Sequence, residues 1–153
     1  VTIAARRLRT GDVAAFRALN AMFAEAFEDP ESYGGNPPDD AWLENLLARD
    51  DIVVLTADAG SRLAGGLVAY RLDKFEQRRS EFYLYDLAVA LPHRRRGIAR
   101  ALIAELQAIA FETGVWAIYV QADHGDDPAI ALYESLGTRE DVLHFDIAPN
   151  ARG

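Results

Sequence analysis

The sequence predicts an α/β (α+β) domain with a mixed, mostly antiparallel sheet of about six to seven strands, flanked by about four helices. Three observations predict it. Apolar residues recur at helical spacing over 10–27 and 97–112. Between them, from Ile52 to Val89, the apolar period shortens to two, with turn formers at Asp58-Ala59-Gly60-Ser61. Finally, the apolar run Tyr85–Val89 passes through a basic, glycine-containing turn directly into the second long helix. The 153 residues contain no internal repeat and no linker, so a single domain spanning 1–153 is expected. A chain of this length buries about two-thirds of its unfolded surface around one core.

The elements follow in order. Residues 2–8 alternate weakly and are expected to form the first strand. Thr10 is the candidate N-cap of a helix carrying Val13, Phe16, Asn20, Phe23 and Phe27 on one side. Glu28-Asp29-Pro30 through Pro37-Pro38 is rich in turn formers and reads as a surface loop. Asp39 or Asp40 then caps a short helix with Trp42, Leu43, Leu46 and Leu47 as its apolar face. Ile52–Ala57 and Arg62–Leu72 read as a hairpin, and Gly65-Gly66 suggests a bulge or a close backbone approach. Glu81–Val89 is the next strand, followed by the helix over 97–112 and the strand Val115–Ala122. The acidic stretch Asp123–Asp127 leads to a short helix, Pro128–Leu136, with proline at its start and Gly137 at its stop. Arg139–Ile147 reads as a last strand.

Composition excludes several classes of function. There is no cysteine, hence no disulfide, thiolate metal site or cysteine nucleophile. His93, His124 and His144 are scattered without metal-ligand spacing, so no metal is expected. A formal net charge of −8 argues against a nucleic-acid partner, whose phosphates need Lys and Arg. No apolar run approaches the ~20 residues of a membrane span and no signal-peptide pattern opens the chain, so no membrane partner and a cytoplasmic location are expected. Against this acidic background the cluster Arg94-Arg95-Arg96 stands out.

That cluster joins a strand to a helix. Such a turn aims backbone N–H groups and a helix N-terminus at one point, a geometry suited to an anionic diphosphate. The string Arg94-Arg95-Arg96-Gly97-Ile98-Ala99 resembles the acetyl-CoA pyrophosphate loop of the GNAT acetyltransferase superfamily. Asp127-Pro128-Ala129-Ile130-Ala131-Leu132-Tyr133-Glu134-Ser135-Leu136-Gly137 is similar to its second element, with Asp127 where asparagine is usual. Further segments (Phe16–Phe27, Lys74–Gln77, Ser80-Glu81, Tyr83–Val89, Ile118–Asp123, Gly125–Ala129 and His144–Ile147) look like the aminoglycoside 3-N-acetyltransferases of that superfamily. This likeness covers nearly the whole chain, loops included.

The resemblance implies the GNAT fold and transfer of acetyl from acetyl-CoA to the 3-amino group of the deoxystreptamine ring of antibiotics such as gentamicin. It further implies coenzyme A contacts at Leu87, Ala88, Val89, Arg94, Arg95, Arg96, Gly97, Ile98, Ala99, Arg100, Ala131 and Tyr133. Tyr133 falls where the family places a phenol beside the thioester sulfur, and a backbone N–H near Leu87 is expected to meet the thioester carbonyl. Homodimers are common among such enzymes and one is expected here. The acceptor is a polycation, so carboxylates should line its site. Glu76, Glu81, Asp123, Asp126 and Asp127 are the candidates, with Tyr83 beside them and Glu140, Asp141 and Asp146 further on. An amine acceptor needs a general base. Asp123, at a strand end, is the first choice. Glu81, Tyr83 and Tyr85 compete for the role because alternate positions of one strand share a face. By that parity Asp86 falls on the opposite face and reads as structural. With no cysteine, direct transfer in a ternary complex is favoured over an acyl-enzyme. Two alternatives share these features: another polyamine or protein amine as acceptor, and a non-catalytic acetyl-CoA-binding module.

Overall fold

A computed structural model describes residues 3–152 of the chain. The elements are β1 (Ala4–Arg7), α1 (Val13–Ala26), α2 (Pro30–Gly34), α3 (Asp40–Ala48), β2 (Ile52–Ala59), β3 (Arg62–Asp73), β4 (Ser80–Val89), α4 (Ile98–Thr113), β5 (Val115–Val120) and α5 (Asp127–Glu134). A short 3-10 turn, Leu91–His93, lies between β4 and α4. Thr2, expected in the first strand, lies outside the described residues. The chain divides into two compact units, the first ending at Gln121 and the second beginning at Ala122.

The first unit is a mixed sheet in the order β1-β2-β3-β4-β5. The first four strands are antiparallel, and β5 joins β4 in parallel through the crossover helix α4. Adjacent glycines of β3 show how both faces are covered. A Cβ at Gly65 would meet Ile98 and Leu102 of α4, whereas one at Gly66 would meet Leu19 of α1 and lie 2.8 Å from the Leu55 carbonyl oxygen. Neighbouring residues of a strand point to opposite faces, so α4 covers one face and α1 the other. The doublet is therefore a close approach, and the ladder also slips beside it, since Ala57 pairs with Gly65 but Asp58 with Leu63. On the α1 face, Phe16, Leu19 and Phe23 pack with Leu43 and Leu47 of α3, Val54, Val68 and Ala88. On the other face, α4 buries Ile98, Leu102, Ile103, Leu106 and Ile109.

Several expectations need correction. Thr10 does not cap α1. The helix starts at Val13, and Asp12 instead accepts the Arg9 backbone N–H at 2.7 Å. Part of the expected loop is α2, because Asp29 accepts the Ser32 N–H and Pro30 supplies a preset first residue. Asp39, rather than Asp40, caps α3 through the Trp42 N–H at 2.8 Å. The largest correction concerns Arg139–Ile147, which forms no strand. A strand exists only where a neighbour completes its hydrogen-bond ladder, and among the described residues none pairs with this segment. Leu143, Phe145 and Ile147 are left 83%, 75% and 89% exposed. The sheet thus has five strands where about six to seven were expected.

Candidate active site

The strand–turn–helix junction has the geometry its sequence implies. Arg95 and Gly97 both adopt left-handed backbone, at φ 64° and 77°. They turn the chain so that Gly97 becomes the N-cap of α4, with no side chain capping the helix. The first N–H groups of α4 therefore point outward with the positive end of the helix dipole behind them. Arg94, Arg95 and Arg96 are exposed around this point, and Arg94 Nε donates to the Val89 carbonyl at 3.1 Å. Ile98 is 2% exposed, so only its backbone can serve a ligand there.

The adjoining edge of β4 is open. β5 pairs with β4 only from Ser80 to Leu84, and among the described residues no strand continues along Tyr85–Val89 on that side. The Ala90 N–H donates to Ala64 of the β2–β3 side of the sheet, which fixes the alternation of the ladder. Ala88 and Asp86 consequently direct their peptide groups to β3, while Leu87 and Val89 direct theirs to the open edge. The Ala88 side chain belongs to the buried core.

The α1 face of β4 holds the most consequential departure from the sequence reading. In the β3–β4 ladder Val68 pairs with Asp86 but Ala69 pairs with Leu84, leaving Tyr85 unmatched. This is a β-bulge, and it resets the parity of the strand. Glu81 and Tyr83 before it, and Asp86 after it, all lie on the α1 face. Asp86 is thus a member of the candidate site. Its carboxylate is partly buried and accepts the Tyr33 O–H at 2.8 Å. Burial pushes its pKa above the ordinary value, and the Tyr33 hydrogen bond draws it partly back.

Around Asp86 the face is phenolic. Tyr83 stacks on Tyr119 at 4.6 Å, and Tyr85 meets Tyr83 and Tyr70 edge-on at 5.4 and 5.8 Å. The Tyr83 O–H donates to Gln121 at 2.8 Å. Burial, as the largest cause, raises the phenol pKa of Tyr70, Tyr83 and Tyr119, so these hydroxyls keep their protons at neutral pH. Glu76 and Glu81 are less free than expected. Lys74 lies 4.0 Å from Glu76 and 3.7 Å from Glu81, and Arg79 lies 3.6 Å from Glu76. Arg79 also stacks over the Trp116 ring at 3.9 Å.

The second unit carries the remaining candidates. Asp126 caps α5 through the Ala129 N–H, and its own N–H donates to the Asp123 carbonyl at 3.2 Å. Asp123, Asp127 and Ala131 are exposed. Tyr133 is partly buried, and burial followed by the Asp126 carboxylate pushes its phenol up to about 12. Within this unit Arg139 pairs with Glu134 and Asp141, and His144 lies 2.9 Å from Asp146. Among the described residues no group of three or more His, Asp or Glu side chains is placed to hold a metal ion. No helix there is long and apolar enough to cross a membrane.

Known proteins share this architecture. Residues 16–138 match the Acetyltransferase (GNAT) family. The uncharacterized N-acetyltransferase YhfO of Bacillus subtilis (strain 168) is 25% identical over 142 residues, which cover 92% of this chain and 93% of that protein. Among solved structures, the aminoglycoside acetyltransferase HMB0005 from an uncultured soil metagenomic sample is 49% identical with a TM-score of 0.95. That match covers 98% of this chain and 100% of the other. The aminoglycoside acetyltransferase meta-AAC0020, also from an uncultured soil metagenomic sample and in complex with sisomicin, is 30% identical with a TM-score of 0.89. It covers 97% of both chains.

Proposed function

Because the chain belongs to the GNAT acetyltransferase family, we propose that it transfers the acetyl group of acetyl-CoA to the 3-amino group of the deoxystreptamine ring of aminoglycosides. The observation that carries this reading is the juxtaposition on β4 of an open backbone edge at Leu87 and Val89 with the half-buried Asp86 among tyrosines. The likeness to aminoglycoside acetyltransferases over nearly the full chain supports the choice of acceptor. A net charge of −8 favours a polycation by long-range attraction.

Acetyl-CoA, when bound, supplies an activated acetyl thioester. The exposed Arg94–Arg96 cluster and the uncapped start of α4 suit its diphosphate, and the Leu87 or Val89 N–H suits the thioester carbonyl as charge builds on its oxygen. Acyl transfer also requires an amine without its extra proton. Asp86 is the carboxylate best suited to remove it, since burial raises its basicity while one of its oxygens is held by Tyr33. Asp123, favoured by the sequence, and Glu81, which sits beside Lys74, are the competing assignments. Tyr133 is proposed as the proton donor to the departing thiolate.

Two variants test the coenzyme loop. Arg94→Ala removes a charge, and Gly97→Asp adds the wrong one at a backbone of φ 77° that a side chain strains. Each should weaken acetyl-CoA binding by about tenfold or more, with little change in antibiotic affinity. Calorimetry finding the same coenzyme affinity in both variants and in the unaltered chain would refute the loop's role.

The acceptor is tested by thiol release from acetyl-CoA in the presence of gentamicin, spermidine or a peptide amine. Gentamicin should give the highest kcat/KM. Preference for spermidine or the peptide would move the reading to another polycationic amine, and no release with any acceptor would leave a non-catalytic coenzyme-binding module.

A further inference from the structure

We infer that Tyr33 is a positioning residue, holding the Asp86 carboxylate in one orientation on the acceptor face so that its second oxygen is presented to the incoming amine. The inference rests on the proposed role of Asp86 as base and adds a residue that no sequence motif marks.

The segment before Tyr33 is constructed to deliver that one hydroxyl. α1 ends with the Phe27 N–H donating to Phe23 at 2.9 Å, and the chain then reverses at Glu28. Glu28 is a non-glycine residue in the left-handed region, at φ 52°. Such a conformation costs energy that the surroundings must offset. Two contacts fix the reversal. The Asp29 N–H donates to Ala24 at 3.0 Å, and its side chain accepts the Ser32 N–H at 3.1 Å. Pro30 then starts α2 with its dihedral preset. The Tyr33 ring packs edge-on to Phe23 at 5.8 Å and against Phe27 at 5.5 Å, and Phe23 is itself fully buried. Its hydroxyl is thereby brought to Asp86 Oδ2, 53 residues away in sequence, where the β4 bulge has turned the carboxylate toward it.

The groups facing Asp86 are Tyr33 from α2, Tyr70 from β3, and Tyr83 from β4, with Tyr85 at the bulge. No charged side chain among the described residues is paired with it, so the Tyr33 O–H is the polar contact that orients the carboxylate. Burial raises the Tyr33 phenol well above its ordinary value, so the hydroxyl donates throughout the working pH range. A hydrogen bond to the ionised form lowers an acid's pKa, and its removal raises it.

Tyr33→Phe keeps the ring and removes the hydroxyl. The acid limb of kcat should move up by about one to two pH units, making the rate on that limb about 10- to 100-fold lower. KM for acetyl-CoA should hold. Carbon-13 NMR of labelled aspartate in the protein without acceptor should show the Asp86 midpoint rising in step. Tyr33→Leu, which also loses the ring packing, should in addition lower Tm. A midpoint unmoved in Tyr33→Phe, or a kcat reduced equally at every pH, overturns the inference whatever the acceptor proves to be. A shifted midpoint in a protein that acetylates no aminoglycoside supports the Tyr33–Asp86 coupling and overturns the acceptor reading instead.

Discussion

Asp86→Asn is expected to lower kcat by about 10²–10⁴ and to abolish the acid limb of the pH–rate profile. The substitution keeps the side chain's size and leaves the Tyr33 O–H an acceptor, so the loss reports basicity rather than packing. The sign follows from the environment. Burial favours the neutral acid and raises the carboxyl's pKa, which makes its ionised form a stronger base than an exposed aspartate. As pH falls through that raised value the carboxylate is protonated and turnover stops, so the limb should lie above the ordinary aspartate range. Asp123→Asn provides the contrast, because a loss of rate that keeps the acid limb would assign Asp123 a binding role. Should Asp86→Asn retain both rate and limb while Asp123→Asn loses them, the sequence-based choice of base would stand.

Tyr133→Phe is expected to reduce kcat by about 10²–10⁴ with a modest change in KM. A departing thiolate is stabilised by a proton arriving as the carbon–sulfur bond breaks. The Tyr133 phenol, pushed up to about 12 by burial and by Asp126, is protonated at any pH where the enzyme would work. It is a donor that neutral solution does not discharge. The effect belongs to the step in which sulfur leaves, so ground-state affinity for either substrate should change little. An unchanged kcat would remove the role. An increase in KM with kcat preserved would reassign Tyr133 to uniform binding of coenzyme.

Much of the fold was legible because its signals are local. The shift from helical spacing to a period of two at Ile52 marks the start of β2, and the glycine–proline punctuation marks the ends of α4 and the start of α5. The junction before α4 was legible for the same reason: a strand end, a glycine and a helix start follow one another within a few residues. What escaped is non-local. Arg139–Ile147 alternates as a strand should, but alternation does not supply the neighbouring ladder that makes one. The 30–34 helix hid inside a run of turn formers, since proline and aspartate serve both a loop and a capped first turn. Asp86 was assigned to the wrong face because counting by twos assumes an uninterrupted ladder, and one unmatched residue at Tyr85 inverts every assignment after it. A clue was present, for an aspartate inside the aromatic strand Tyr83–Val89 is costly to bury without a reason. Its partner Tyr33 carried no such clue. Only the folded chain brings residues so distant in sequence within 2.8 Å.

The functional reading is tested most directly by incubating the chain with acetyl-CoA and gentamicin and locating the acetyl group in the product by NMR. A single monoacetylated product is expected, bearing an amide on the 3-amino group of the deoxystreptamine ring. Acetylation at any other amine, or gentamicin recovered unmodified while the coenzyme is bound, would contradict it.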